Sequence, residues 1–173
     1  FKMTDLNQLI IKFDYEKNFK DDDFYVSKSN KNTFNILNNW PRWEKKFLNI
    51  VGDKYSGKTH LINIFIKKFK GIKLNALALS NGDLAKIKTY ENIVLEDLNE
   101  KINEKLIYSL FNIIDIDNKF IVVTSNQPIT DINFSLTDLR SRSKNFIIEK
   151  IDKPDDELIF ALILKNLSDR QIS

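Results

Sequence analysis

The chain has 173 residues, 42% of them hydrophobic, enough for one domain with a sizeable core. It contains no Cys, which excludes disulfides, and its apolar runs fall far short of the roughly 18 residues that a membrane helix needs. The first residues lack a signal peptide's layout, so a cytoplasmic protein without membrane contact is expected. The net charge is +3, but Lys and Asp/Glu alternate along the whole chain rather than forming a basic tract, so direct DNA binding is not expected.

From Met3 to about Phe19 the chain is mostly polar, with the apolar cluster Leu9-Ile10-Ile11 and Phe13, and it leads into Asp21-Asp22-Asp23. This predicts an extended arm over 1–20 and a folded core over 21–173. Phe24-Tyr25-Val26 and Ser29-Asn30 precede a helical pattern at Phe34, Ile36, Leu37 and Trp40, which Pro41 ends. Trp40 and Trp43 flank that proline and read as packing on the domain's side rather than as base-stacking platforms. Phe47-Leu48-Asn49-Ile50-Val51 reads as a short buried strand.

Next comes Gly52-Asp53-Lys54-Tyr55-Ser56-Gly57-Lys58-Thr59, which fits the phosphate-binding pattern G-x-x-x-x-G-K-[ST]. In such a loop backbone N–H groups surround the α- and β-phosphates, the Lys58 ammonium reaches the β/γ oxygens, and the Thr59 hydroxyl ligates Mg²⁺. Leu61, Ile62, Ile64, Phe65, Ile66 and Phe69 then give a helix its apolar face. The loop thus joins a strand to a helix N-terminus, where dipole and free N–H groups favour an anion. His60 is the sole histidine, which rules out a multi-His metal site and leaves it to cap or pack beside the loop.

Further along, residues 73–79 suit a second strand and 82–88 a short helix. Ile93-Val94-Leu95 forms a third strand ending in Glu96-Asp97, as a Walker B element requires: one carboxylate holds Mg²⁺ and the next orients an attacking water. Leu106, Ile107, Leu110, Phe111 and Ile114 recur at helical spacing. The strand Phe120-Ile121-Val122-Val123 follows and ends at Thr124-Ser125-Asn126, where Asn126 either faces the γ-phosphate or belongs to a turn before Pro128. A helix near 136–142, a strand over 145–149 and a helix from 155 to about 167 complete the pattern. Strands alternating with helices predict a parallel sheet in an α/β domain, with ligands at the strand C-termini. Two of the four Arg residues, Arg140 and Arg142, fall together in Leu139-Arg140-Ser141-Arg142, either a surface helix end or a fork for a transferring phosphoryl group.

These residues together resemble the AAA+ ATPases of the bacterial initiator DnaA group. Gly57-Lys58-Thr59-His60-Leu61 looks like that group's phosphate-loop ending, Phe24-Tyr25-Val26 with Ser29-Asn30 like its nucleotide-flanking segment, and Leu139-Arg140-Ser141-Arg142 like its arginine-finger motif. Within the group the chain is similar to the DnaA-homologous regulators of the Hda type, particularly the alphaproteobacterial HdaA form. The likeness rests on Gln8-Leu9-Ile10-Ile11-Lys12-Phe13, Trp40-Pro41-Arg42-Trp43, and the segment from Asp155-Asp156-Glu157-Leu158 to Asp169-Arg170-Gln171.

The resemblance implies an AAA+ core without the small helical lid, binding ATP or ADP with Mg²⁺ and at most a weak ATPase. It assigns Tyr25, Val26 and residues 52–60 to the nucleotide, Thr59, Glu96 and Asp97 to the metal, and Glu96, Asp97, Asn126 and Arg142 to catalysis. It also implies that Gln8, Leu9, Ile11 and Phe13 dock on the DNA polymerase sliding clamp, and that the protein then promotes hydrolysis of DnaA-bound ATP, limiting re-initiation of replication. A homodimer stays open. The space before the Glu96 strand admits one short helix, whereas DnaA itself has an additional helical insertion there that contacts single-stranded DNA. Tyr55 stands where the group commonly has Gly, and Glu96 where Asp is commonest. The alternatives are a truncated DnaA or a DnaC-type helicase loader; a small-molecule kinase would need an acceptor pocket that no segment suggests.

Overall fold

The computed structural model describes residues 24–171. Gln8, Leu9, Ile11 and Phe13 of the expected clamp-binding arm lie outside the described residues. The strands are β1 (Phe47–Val51), β2 (Gly71–Asn75), β3 (Asn92–Leu98), β4 (Phe120–Ser125) and β5 (Ile147–Lys150). The helices are α1 (Lys31–Asn38), α2 (Lys58–Phe69), α3 (Asn81–Lys86), α4 (Glu104–Ile116), α5 (Thr137–Ser143) and α6 (Asp156–Gln171). The sheet order is β2-β3-β4-β1-β5, and every pairing is parallel. The expected α/β fold with a parallel sheet between helices is therefore present.

Alternation along each strand feeds two cores, because successive side chains leave a strand on opposite faces. Phe47, Ile93, Leu95, Ile121 and Val123 meet Ile107, Leu110, Phe111 and Ile114 of α4 and Leu139 of α5. Leu48, Ile50, Val94 and Val122 meet Leu37 of α1 and Leu61, Ile62 and Phe65 of α2. Trp40 and Trp43 close the second core's lower end against Phe65, Phe69 and Phe120, with centroid separations of 4.8 to 5.8 Å. The Trp43 indole N–H donates to the Ile36 carbonyl at 2.6 Å, so the packing role expected for the pair holds.

Several boundaries differ from the sequence reading, two of them with a visible local cause. The second strand runs over Gly71–Asn75 rather than 73–79, because the Asn75 side chain accepts from the Leu77 and Ala78 amides at 2.9 and 3.3 Å and turns the chain out of the sheet. Helix α1 ends at Asn38, before Trp40, and the turn continues through the Arg42 amide to the Asn39 carbonyl.

Asn49, the one polar residue of β1, is completely buried. Its amide nitrogen donates to the Val123 carbonyl at 3.1 Å and to Ser125 Oγ at 2.9 Å, and its oxygen accepts from the Ile129 amide at 2.8 Å. Ser125 Oγ in turn donates to the Gln127 carbonyl at 2.7 Å, so Asn49 anchors the whole turn after β4. Replacing Asn49 with Leu strands the Ile129 N–H, and an unsatisfied buried donor costs about 1–3 kcal/mol. Urea unfolding of Asn49→Leu should show that loss, with faster hydrogen exchange at the Ile129 amide; wild-type protection at Ile129 would exclude the anchoring role.

Candidate functional site

The turn from β1 into α2 is built by two glycines for different reasons. A Cβ at Gly52 would sit 2.5 Å from Ser56 Oγ and 3.3 Å from Ser56 Cβ, so a larger residue there would have to displace the Ser56 side chain that folds back over it. Gly57 has φ +94°, the left-handed region that glycine enters without steric cost, and it starts α2 with no side chain capping the helix N-terminus. Tyr55 also has positive φ, 67°, a conformation that costs a side-chain-bearing residue on the order of 1–3 kcal/mol. Its ring is 89% exposed, with the Lys54 ammonium 5.1 Å from the centroid. The position commonly filled by Gly in the resembling group thus keeps a glycine-type backbone here despite its Tyr.

Lys58 is buried at the base of the loop. Its ammonium donates to the Gly52 and Asp53 carbonyls at 2.6 and 2.9 Å, and Asn126 Oδ1 lies 3.5 Å away. Burial lowers its pKa, opposed by the nearby carboxylates of Asp97 and Asp53. Among the described residues no carboxylate forms an ion pair with the ammonium, and a bound phosphate would supply that partner.

The two carboxylates at the end of β3 face different ways. Glu96 keeps the ladder with Asn75 of β2, and its Oε1 accepts from the Thr59 hydroxyl at 3.1 Å while Oε2 lies 3.2 Å from Lys73 Nζ. At Asp97 the register against β4 slips, φ turns to 60°, and the amide donates to Thr124 Oγ1 at 3.1 Å. This irregularity points Asp97 into the cleft. The cleft holds about 620 Å³ and is lined by residues 54–59, Leu77, Asp97, Leu98, Asn99 and Asn126. Gly52, Asp53 and Asn126 also border an adjoining recess of about 460 Å³ beside Gln127 and Lys150.

The sequence-nominated residues thus converge in large part. Lys54, Tyr55, Ser56, Gly57, Lys58, Thr59, Asp97 and Asn126 share one cleft, with Glu96 bonded to Thr59 at its side. Tyr25, Val26 and His60 are not among the cleft's lining residues. His60 instead meets the buried Phe24 ring edge-on, at 5.3 Å between centroids, and Phe24 lies against Gly57. The Tyr25 hydroxyl donates to Glu157 of α6 at 2.8 Å, tying this segment to the last helix.

Arg142 sits elsewhere. Helix α5 leads from the end of β4 to the start of β5, so its last turn lies toward the edge where strands begin, opposite the cleft. There the guanidinium donates to Asn112 and, at 3.4 Å, to Asp115, with the Tyr108 ring 5.5 Å away. Arg142 therefore does not serve the cleft of its own chain. Arg140 is exposed on the same helix. Sequence reasoning did not single out Asn49 or Lys73, and it named Phe24 only within the nucleotide-flanking segment, not for its contact with Gly57 and His60. A polar residue inside an apolar strand was a usable signal for Asn49; the other two depend on strand register and tertiary packing.

No protein-family model matches the chain, and no curated protein matches it. Solved structures do. AMPPCP-bound DnaA from Aquifex aeolicus superposes with a TM-score of 0.68 at 18% identity, covering 85% of this chain and 54% of that one. Domain III of the Thermotoga maritima replication initiation protein DnaA gives 0.65 at 19% identity, covering 86% and 72%. DnaI gives 0.59 at 16% identity, covering 76% and 86%. The chain spans about half the length of the AMPPCP-bound DnaA that it matches. Its five-stranded parallel sheet with flanking helices has the fold of the DnaA AAA+ core.

Proposed function

We propose that this chain binds an adenine nucleotide in the cleft at residues 52–59 and acts as a DnaA-related regulator of replication initiation, docking on the sliding clamp through its N-terminal arm and promoting hydrolysis of DnaA-bound ATP. The observation that carries the nucleotide reading is the buried Lys58 ammonium at an uncapped helix N-terminus, beside Asn126 and in a cleft that Asp97 also lines. The likeness to a DnaA bound to AMPPCP supports it.

Magnesium fits the donor set. Thr59 and Glu96 offer oxygens 3.1 Å apart, and among the described residues no cluster of three acidic, His or Cys side chains could hold an ion alone. Phosphate and water oxygens would complete the shell, as Mg²⁺ prefers. When bound, the ion would neutralise phosphate charge. Lys58 would meet the β/γ oxygens, Asn126 would orient the terminal phosphate's surroundings, and Asp97 would hold a water proton at its carboxylate.

The regulator is favoured over the initiator by the connection between β2 and β3, which contains only the six-residue α3 and the 3-10 turn Ile87–Thr89. The second reading, a DnaC-type helicase loader, draws on the likeness to DnaI.

In calorimetry with ATP or ADP and Mg²⁺, Lys58→Ala should lose most of the affinity, because Lys54, the other cation lining the cleft, has its ammonium beside the exposed Tyr55 ring rather than at the base of the loop; equal affinity in both proteins would move the nucleotide elsewhere. A peptide of residues 1–20 should compete with the protein for the sliding clamp, and Gln8→Ala combined with Leu9→Ala should abolish clamp binding. Undiminished binding by that double variant removes the main support for the regulator and leaves the helicase loader ahead. An arginine presented in trans is worth about 10³ to 10⁵ in rate, so Arg142→Ala should lose nearly all stimulation of DnaA ATPase while clamp and nucleotide binding persist. If Arg140→Ala alone fails in that assay, the finger is Arg140.

A further inference from the structure

We infer that Lys73 sets the Mg²⁺ requirement of the cleft, by holding one oxygen of Glu96 and placing a fixed positive charge beside the metal position; this rests on the nucleotide reading above. Parallel pairing of β2 with β3 sets Lys73 opposite Val94 and Asn75 opposite Glu96, so Lys73 and Glu96 are diagonal neighbours across two strands. Such neighbours are within reach of long side chains. The ammonium lies 3.2 Å from Glu96 Oε2 and is held from the other side by Asn63 Oδ1 of α2, at 3.0 Å. Two anchors from different elements keep the charge in place where a surface lysine with one partner would wander.

Glu96 is mostly shielded from water, so its charge is less screened than that of a surface carboxylate. Its oxygens are divided: Oε1 toward Thr59, Oε2 toward Lys73. The oxygen left for a cation is the one beside the Thr59 hydroxyl, and the carboxylate that supplies it is already neutralised by an ammonium. A hard divalent ion arriving there gains less from Glu96 and is repelled by Lys73. Nucleotide binding should therefore demand more Mg²⁺ than the same cleft would without Lys73. Asp97, the next residue within the same β3 irregularity, has no such cation fixed to it by an ion pair among the described residues.

The test is ATP binding by the whole chain as Mg²⁺ is titrated, for wild type, Lys73→Met and Lys73→Arg. Lys73→Met should lower the Mg²⁺ concentration at half-maximal enhancement by on the order of tenfold, the scale of one unit charge a few ångströms from a divalent ion in a watery medium. Lys73→Arg should stay near wild type. If circular dichroism shows Lys73→Met unfolded, Lys73→Gln takes its place. A midpoint that is unchanged or raised on loss of the charge overturns the assignment of Lys73 alone. Wild type that binds no ATP at any Mg²⁺ concentration overturns the nucleotide reading, and this inference with it.

Discussion

Ser125 is the residue on which three strands agree. It pairs with Val51 of β1 on one side and with Leu98 of β3 on the other, so the central strands all finish at one level. The cleft hangs from that level: the loop leaving β1, the carboxylates at the end of β3 and the side-chain amide of Asn126 just after β4. Parallel pairing makes this possible, because only parallel strands bring their carboxyl ends to the same edge, and helices must then carry the chain back. The sheet is buried on both faces at its centre, which makes a shift of register costly.

Within that edge, charge is distributed unevenly. Lys58 is drawn inward by carbonyl oxygens of its own loop, and burial works against its charge. Glu96 is compensated by Lys73 and Thr59, whereas Asp97 is turned out by a local break in the ladder. Two adjacent acidic residues consequently have different surroundings, and the one in the cleft is the one whose backbone has left ideal strand geometry. Irregularities of this kind re-aim side chains at functional edges.

Much of this was legible in the residues. The G-x-x-x-x-G-K-[ST] spacing located the loop because two of its positions have backbone requirements that few residues meet, and buried parallel strands announce themselves as short apolar runs. The apolar rows of α2 and α4 likewise marked their buried faces. Other features could not be read locally. The end of β2 depended on one Asn side chain turning back onto the next amides, against a run of apolar residues that favoured continuing the strand. Lys73 became relevant only once strand register was known, since its partner is 23 positions along the chain. The neighbours of Arg142 come from α4, and helix-to-helix contacts of that kind leave no local spacing signal.

The bond between Tyr25 and Glu157 spans 132 positions and joins the segment before α1 to α6. Phe24, the adjacent residue, is wedged against Gly57 and the His60 ring. The two ends of the core are thus linked: a tilt of α6 that kept the hydroxyl–carboxylate bond would pull on the residue next to Phe24, which packs on Gly57 of the loop. Force applied at the last helix has a short mechanical path to the first turn of α2, along a route that avoids the sheet altogether.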